Sequence, residues 1–156
     1  MSRADNEQIM RTYLEEVAAK GRLDLIPELA AENIVDEAAV AEGGPPGREG
    51  LVAHVTGFLA ALPDRIIIIR KILANDDDVM AWWTCEGTPV TEFADVPPTG
   101  KKMFGHVFSF FNITDGKISR YRFFAHVGFD TPVGVDTTPA GDIPDPVPAA
   151  ADVSGQ

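Results

Sequence analysis

The hydrophobic pattern of the chain changes its period once, near residue 63, and this change constrains the fold more than any other feature. Before it, residues 5–20 and the segment after the loop at 42–47 carry apolar residues at helical spacing, and Asp24 is a suitable cap for a short helix between them. After it, β-branched and aromatic runs separated by turn signals predict four strands, at residues 65–73, 79–88, 103–113 and 118–127. Helices followed by an antiparallel meander indicate an α+β fold, in which a curved sheet packed on three N-terminal helices encloses a cone-shaped cavity.

The domain organisation follows from where these patterns stop. The chain has 156 residues, which is enough for one domain with a substantial core. We expect this domain to span residues 1–130. Residues 131–156 contain five prolines and no Lys, Arg or aromatic residue, which predicts an acidic tail that is disordered or loosely attached.

Charge and cysteine content argue against several classes of function. The net charge of −11 argues against a nucleic-acid partner, because binding phosphates requires a basic surface. No apolar run approaches the roughly 20 residues of a membrane span, and the N-terminal segment lacks a hydrophobic signal core. Cys85 is the only cysteine, so an intrachain disulfide and a multi-Cys zinc site are impossible. We therefore expect a cytoplasmic protein without a nucleic-acid or membrane partner and without a metal.

The last predicted strand carries the main candidates for catalysis. Arg120, Arg122 and His126 recur at every second position, so they share one face of the strand. If that face lines a pocket, His126 can move a proton near neutral pH and Arg122 can stabilise a developing anion. In the alternative, His126 is a surface or core histidine near a strand end. Arg122 is then a surface arginine, or it pairs with Glu86 or another carboxylate across the sheet. Arg120 lies near the hairpin end, where we expect it to be solvated.

Two further histidines have alternative interpretations. His106 lies in an apolar strand. It is either a buried, hydrogen-bonded histidine or an auxiliary acid/base group that faces His126 across the hairpin. His54 lies between Leu51 and Phe58 on the third helix, and we interpret it as a packing or interface residue.

Aromatic residues at several positions are candidates for binding an aromatic ligand, with membership of the core as the alternative. Trp82 and Trp83 point to opposite faces of their strand, so at most one of them lines a pocket. The candidates are Tyr13, Trp82, Phe108 and Phe124.

Three stretches carry motifs in a characteristic order: PGREGLVAHVTGFLAALPD (46–64), EGTPVTEFADVPPTGKK (86–102) and FSFFNITDGKISRYRFFAH (108–126). Together they resemble the SnoaL-like polyketide cyclase family of the nuclear transport factor 2-like superfamily, over roughly residues 6–128. The resemblance implies a pocket between the first helix, the third helix and the concave face of the sheet. It also implies a homodimer through the outer sheet face.

The resemblance further implies an activity and a departure from it. In the cyclases, a carboxylate on the final strand acts as acid/base in an intramolecular aldol closure, with no metal or organic cofactor. Its position, eight residues after the Ile of DGKI, is His126 in this chain. Pro89 and Trp82 stand where relatives often have His and Arg.

We therefore expect a cofactor-independent enzyme of the cyclase or isomerase type that acts on a hydrophobic, polyketide-like small molecule. His126, Arg122 and His106 are its predicted catalytic residues. The alternative is a non-catalytic protein of the same fold that binds a small molecule or a protein partner. The absence of the family carboxylate favours this alternative.

Overall fold

The structure is a computed structural model, and it describes residues 2–93 and 97–129. The predicted tail, residues 131–156, lies outside the described residues. Of the helices in the described part of the chain, none is long and apolar enough to cross a membrane. The helical elements are α1 (Arg3–Thr12), a π-helical continuation (Tyr13–Ala19), a 3-10 turn (Leu23–Leu25), α2 (Ile26–Leu29), α3 (Glu37–Ala41) and α4 (Arg48–Ala61). The strands are β1 (Ala30–Asp36), β2 (Ile66–Ala74), β3 (Asp78–Gly87), β4 (Met103–Thr114) and β5 (Lys117–Phe129).

The first helix begins at a capping box. The Ser2 hydroxyl accepts a hydrogen bond from the Asp5 backbone N–H, and the Asp5 carboxylate accepts one from the Ser2 backbone N–H, each at 3.1 Å. The helix widens into the π-helical segment, where Tyr13, Leu14 and Val17 are buried. Wide turns of this kind occur often at functional sites, and this one lies against the cavity described below.

The sheet has the strand order β1-β5-β4-β3-β2. Strands β2 to β5 form the predicted antiparallel meander. Strand β1 adds to the sheet in parallel with β5, so the sheet is mixed. The sequence pattern did not predict β1 or α3, because the strand, AAENIVD, lacks regular alternation and buries only Ala30, Ile34 and Asp36.

Two β-bulges change which residues face the helices. On β2, Ile69 pairs with Trp83 and Lys71 with Trp82, so Arg70 is an extra residue. On β5, Ile118 pairs with Ile113 and Arg120 with Asn112, so Ser119 is the extra residue. A bulge reverses the side-chain alternation beyond it and bends the strand. Both bulges curve the sheet around the helices.

The two faces of the sheet differ in their cover. The concave face packs on α1, α4 and the π-helical segment, and its core includes Trp83, Phe111 and Tyr121. The convex outer face has no cover in the described part of the chain. Large apolar side chains are exposed there: Ile66, Ile68, Leu73, Met80, Phe108 and Phe124. The predicted α+β architecture, a curved sheet on N-terminal helices, is confirmed.

Candidate functional site

A cavity of about 430 Å³ opens between α4, the π-helical segment and the concave face of the sheet. This volume lies within the roughly 300–1,000 Å³ typical of small-molecule sites. Glu42, Gly57 and Glu92 belong to its wall and are exposed, so they mark its opening. The deeper wall is largely aromatic and includes Tyr13, His54, Phe58, Trp83, Tyr121 and Phe123.

A histidine and an aspartate meet at this wall. Nδ1 of His54 lies 2.7 Å from Oδ2 of Asp36. Because a carboxylate only accepts hydrogen bonds, Nδ1 is the donor, and Nε2 is the ring nitrogen left for a ligand. No other hydrogen-bond partner for His54 occurs among residues 2–93 and 97–129. The imidazole is therefore oriented by its partner and available to the cavity.

Asp36 is held in place from its other side. It ends β1 and caps α3, where its Oδ1 accepts hydrogen bonds from the backbone N–H groups of Ala38 and Ala39 at 3.0 and 3.2 Å. Only 1% of its side chain is exposed, compared with 19% for His54. Asp36 is thus a buried hydrogen-bond acceptor in a fixed position, while the histidine borders the cavity.

Two aromatic rings fix the plane of the imidazole. Phe123 stacks on His54 with the ring centroids 5.3 Å apart and an angle of 17° between the planes. Tyr121 stacks on it at 5.8 Å and 23°. His54 therefore has a defined ring plane and a defined hydrogen-bond partner, which are the two requirements for an oriented proton acceptor.

Hydroxyl groups lie next to the histidine. Trp83 Nε1 donates to Ser109 Oγ at 3.0 Å, and Ser109 Oγ lies 3.3 Å from the Tyr121 hydroxyl. The Tyr13 ring meets that of Tyr121 edge-on, with the ring centroids 5.6 Å apart. Burial raises the pKa of Tyr121 to about 12 and that of Tyr13 well above its ordinary value. Both phenols therefore keep their protons at neutral pH and remain hydrogen-bond donors.

Cys85 also lines the cavity, but its thiol is not a nucleophile at neutral pH. Burial raises its pKa from 9.0 to about 12, so the reactive thiolate is scarce. Within the described ranges, no group of three or more His, Cys, Asp or Glu side chains is placed to hold a metal ion.

Comparison with known proteins assigns the family. The model of the SnoaL-like polyketide cyclase family matches residues 8–125. The chain belongs to this family. Its curved sheet on N-terminal helices has the nuclear transport factor 2-like architecture.

Solved structures of similar fold support the assignment. TsrD from Streptomyces laurentii superposes with a TM-score of 0.71 at 18% identity, over 80% of this chain and 90% of that one. IdmH from Streptomyces antibioticus, a proposed polyketide cyclase, has a TM-score of 0.63 at 25% identity, over 77% and 91%. AclR from Streptomyces galilaeus, a proposed hydroxylase, has a TM-score of 0.57 at 26% identity, over 78% and 76%. A comparison with curated proteins gives no match.

Most of the residues predicted to form the site of this SnoaL-like chain lie elsewhere. Tyr13 lines the cavity, as predicted. The expectation that the others line it is wrong. They lie on the outer face of the sheet: Trp82, His106, Phe108, Arg122, Phe124 and His126.

The cause is the bulge at Ser119. Counting in steps of two from buried Ile118 predicts that His126 faces inward. The extra residue reverses the alternation, so Tyr121 and Phe123 line the cavity, while His126 is exposed. Ala125 is the cavity-lining residue next to it, and it carries no group that can move a proton.

The outer-face residues have partners of their own. His106 lies opposite His126 across the hairpin, but its Nδ1 accepts a hydrogen bond from Trp82 Nε1 at 2.9 Å and the ring is buried. Arg122 approaches Glu37 at 3.3 Å. These are the alternatives in which His106 is buried and hydrogen-bonded and Arg122 pairs with a carboxylate.

The sequence contained a weak signal for the site that was missed. His54 lies on the apolar stripe of α4, between Leu51 and Phe58, and a polar residue in such a stripe requires a partner. Asp36 is that partner, but it is the last residue of a strand that the pattern did not predict. The pair therefore could not be recognised without the position of β1.

Proposed function

We propose that this chain is a cofactor-independent enzyme in which His54, oriented by Asp36, moves a proton at a carbon next to a carbonyl group of a hydrophobic small molecule. The observation that carries the proposal is the 2.7 Å contact between the two side chains at the wall of an aromatic cavity. A buried carboxylate holds one tautomer of a histidine and stabilises the imidazolium that forms when Nε2 takes a proton.

The reaction is balanced without an added reagent. Nε2 of His54 removes the proton, and the C–H electron pair forms an enolate. In ring closure, the enolate carbon attacks a second carbonyl of the same molecule, and the resulting alkoxide takes the proton back from Nε2. In isomerisation, the proton returns to another carbon. Tyr13 and Tyr121 keep their hydroxyl protons, and in this proposal they donate hydrogen bonds to the enolate oxygen.

This proposal moves the acid/base group from the last strand to α4. The resemblance implied a carboxylate on that strand, and the cavity-lining position there is Ala125. The proposal therefore places the proton transfer on α4, at His54, whose ring stacks on Phe123 of that strand. The class of substrate, a hydrophobic polyketide-like molecule, is supported by the aromatic wall and by the family.

A non-catalytic, ligand-binding role is the second candidate. It is favoured by Ala125, because the cavity has no carboxylate on the last strand, where the mechanism of the family implies one. The two candidates differ in one measurable property, which is whether the cavity accelerates proton exchange in a ligand that it binds.

The experiment is hydrogen–deuterium exchange at the carbon next to the carbonyl, followed by mass spectrometry in deuterated water. β-Tetralone and naphthoylacetone serve as probes. We expect the wild-type protein to accelerate exchange and His54→Gln to lose the acceleration, while His126→Gln, the matched control on the outer face, retains it. Equal rates for wild type and His54→Gln would overturn the proposal, and binding without acceleration would favour the second candidate.

We further propose that two copies of the chain pair through the outer face of the sheet. The support is the row of exposed apolar side chains across that face, including Phe108 at 47% and Phe124 at 74% exposure. Exposed apolar areas of this kind mark interaction surfaces in soluble proteins. The cross-strand histidines His106 and His126 would then lie within the interface.

A cytoplasmic location is also a proposal. It is supported by Cys85, the single cysteine, which is buried as a free thiol. Proteins of oxidising compartments use paired cysteines far more often.

A further inference from the structure

We infer that the cavity selects its ligand by charge, and that it takes flat aromatic ligands that are neutral or cationic and excludes those that carry a carboxylate. The inference rests on the proposed function, because it names the substrate class of the same site. It begins with the ionisable groups of the wall. Glu42 and Glu92 lie at the opening, and His54 in the interior contacts Asp36. The site thus contains three carboxylates and one imidazole, so its net charge is negative even when His54 is protonated.

No lysine or arginine of the cavity wall is available to balance an anionic ligand. The residues that line the cavity include no Lys or Arg. Outside the described ranges, residues 94–96 and 130–156 contain no Lys, Arg or His either. A carboxylate that enters the cavity would therefore meet carboxylates at the opening and no guanidinium or ammonium group inside.

The arginine whose charge reaches the cavity wall already makes three hydrogen bonds to backbone carbonyls. Arg65 acts electrostatically on Cys85. Its Nε donates to the Ala18 carbonyl at 2.7 Å, its Nη2 to the Ala19 carbonyl at 2.8 Å and its Nη1 to the Leu62 carbonyl at 3.1 Å. These bonds anchor the end of the π-helical segment to the end of α4 and hold the guanidinium of Arg65, which is not a cavity-lining residue, in that position.

Two physical effects then act against an anion. The larger one is the loss of water around a carboxylate that enters an apolar cavity without a partner, which salt does not relieve. The smaller one is repulsion by Glu42 and Glu92, which are exposed, so that salt weakens it. A cationic ligand is attracted by the two glutamates at the opening, and inside the cavity it contacts aromatic faces.

The aromatic wall supplies the preference for flat ligands. Phe58 meets Trp83 edge to face with the centroids 6.3 Å apart, and it meets Phe93 at 6.2 Å. Phe123 and the imidazole of His54, stacked with their centroids 5.3 Å apart, add further ring surface to the wall. A ring system between these surfaces can place a carbonyl near Nε2 while keeping its faces on aromatic groups.

The test compares three probes that share one ring system and differ in charge: methyl naphthyl ketone, naphthylmethylamine and β-naphthoate. Dissociation constants are measured by calorimetry on the full chain at neutral pH, at low and high ionic strength. We expect the ketone and the amine to bind, and the naphthoate to bind at least about tenfold more weakly than the ketone at both ionic strengths. Naphthoate binding as tight as that of the ketone, or no binding of ketone and amine, would overturn the inference.

Two paired variants locate the selectivity. Glu42→Gln/Glu92→Gln removes the charges of the opening, and Glu28→Gln/Glu32→Gln makes the same change in net charge at exposed positions outside the cavity wall. We expect only the first pair to tighten naphthoate binding at low salt. An equal effect of both pairs would show a general charge effect and contradict a role for the opening.

The charge selectivity can be tested separately from the acid/base role of His54. If His54→Gln retains proton exchange but the three probes keep their order of affinity, the acid/base role fails and the charge selectivity stands. If His54→Gln loses exchange but naphthoate binds as well as the ketone, the acid/base role stands and the charge selectivity fails.

Discussion

Asp36 and His54, eighteen residues apart in the chain, meet at 2.7 Å where β1, α3 and α4 converge. One carboxylate oxygen caps a helix and the other orients an imidazole at the wall of the cavity. The same side chain therefore serves the fold and the proposed chemistry. This dual role makes a conservative substitution more informative than a truncation.

Asp36→Asn separates the two roles. An asparagine still caps a helix, so we expect the melting temperature to change little. Its amide no longer stabilises an imidazolium, so we expect proton exchange in β-tetralone to slow by about 10²-fold or more. Nitrogen NMR of His54 reports the tautomer directly, and we expect a mixture of tautomers in place of Nδ1–H. An unchanged tautomer together with unchanged exchange would show that Asp36 acts on α3 alone.

The outer-face residues give the complementary prediction. Arg122→Ala leaves Glu37 paired with Arg120 at 2.6 Å and leaves the cavity wall intact. We expect β-tetralone exchange to stay within about twofold of the wild-type rate, because the guanidinium lies across the sheet from His54. A loss of exchange comparable to that of His54→Gln would place the reaction on the outer face and contradict the proposed site.

Much of the fold was predictable because it depends on local patterns. The strand predicted at 103–113 is Met103–Thr114, and the one predicted at 118–127 is Lys117–Phe129. Apolar periodicity and the turn signals between strands determine these elements, and neither requires knowledge of distant residues.

The candidate site was not predictable in the same way because it depends on two non-local facts. A bulge at Ser119 reverses the side-chain alternation of β5, and the sequence RYRFFAH (120–126) contains no signal that predicts it. Its consequence is that Tyr121 lies in the cavity wall, while His126 does not. The partner of His54 comes from the edge strand β1, which pairs with β5 in parallel. Hairpin signals in the sequence predict only antiparallel pairing, so they could not predict this strand.

Ser109 is expected to contribute to stability through the hydroxyl network under the cavity. It is fully buried, accepts from Trp83 Nε1 and contacts the Tyr121 hydroxyl. Ser109→Ala leaves the indole N–H without its partner, so we expect the free energy of unfolding to fall by about 1–3 kcal/mol. Thr56→Ala, at an exposed position of α4, is the control and should stay within about 0.5 kcal/mol of wild type. Urea unfolding measures both, and equal values would show that the network adds no stability.

The proposed dimer makes a prediction about mass. Phe124 is 74% exposed on the apolar outer face, so Phe124→Glu places a charge inside the proposed interface. We expect light scattering to give the mass of two chains for wild type and of one chain for the variant. Val40→Glu introduces the same charge at an exposed position on α3 and should leave the dimer intact. A wild-type mass of one chain at all concentrations would contradict the pairing.

The buried thiol predicts how stability depends on alkaline pH. Burial raises the pKa of Cys85 from 9.0 to about 12, so between about pH 9 and 12 the unfolded chain loses the thiol proton while the folded chain keeps it. The unfolded state then binds fewer protons, and stability falls as pH rises through this window, whereas below it the contribution is fully present. Tyr13 and Tyr121 act in the same direction, since burial raises their pKa values as well.

Cys85→Ala isolates the contribution of the thiol to that decline. We expect the variant to lose stability less steeply than wild type between about pH 9 and 12, by about 1.4 kcal/mol per pH unit, because one titrating proton is removed. Near neutral pH the free energies of unfolding of wild type and Cys85→Ala differ only by the effect of removing one buried sulfur. This difference is the baseline for the comparison at alkaline pH. Parallel declines in the two proteins would show that the thiol ionises as readily in the folded chain as in the unfolded one, and that the cavity wall around Cys85 is open to water.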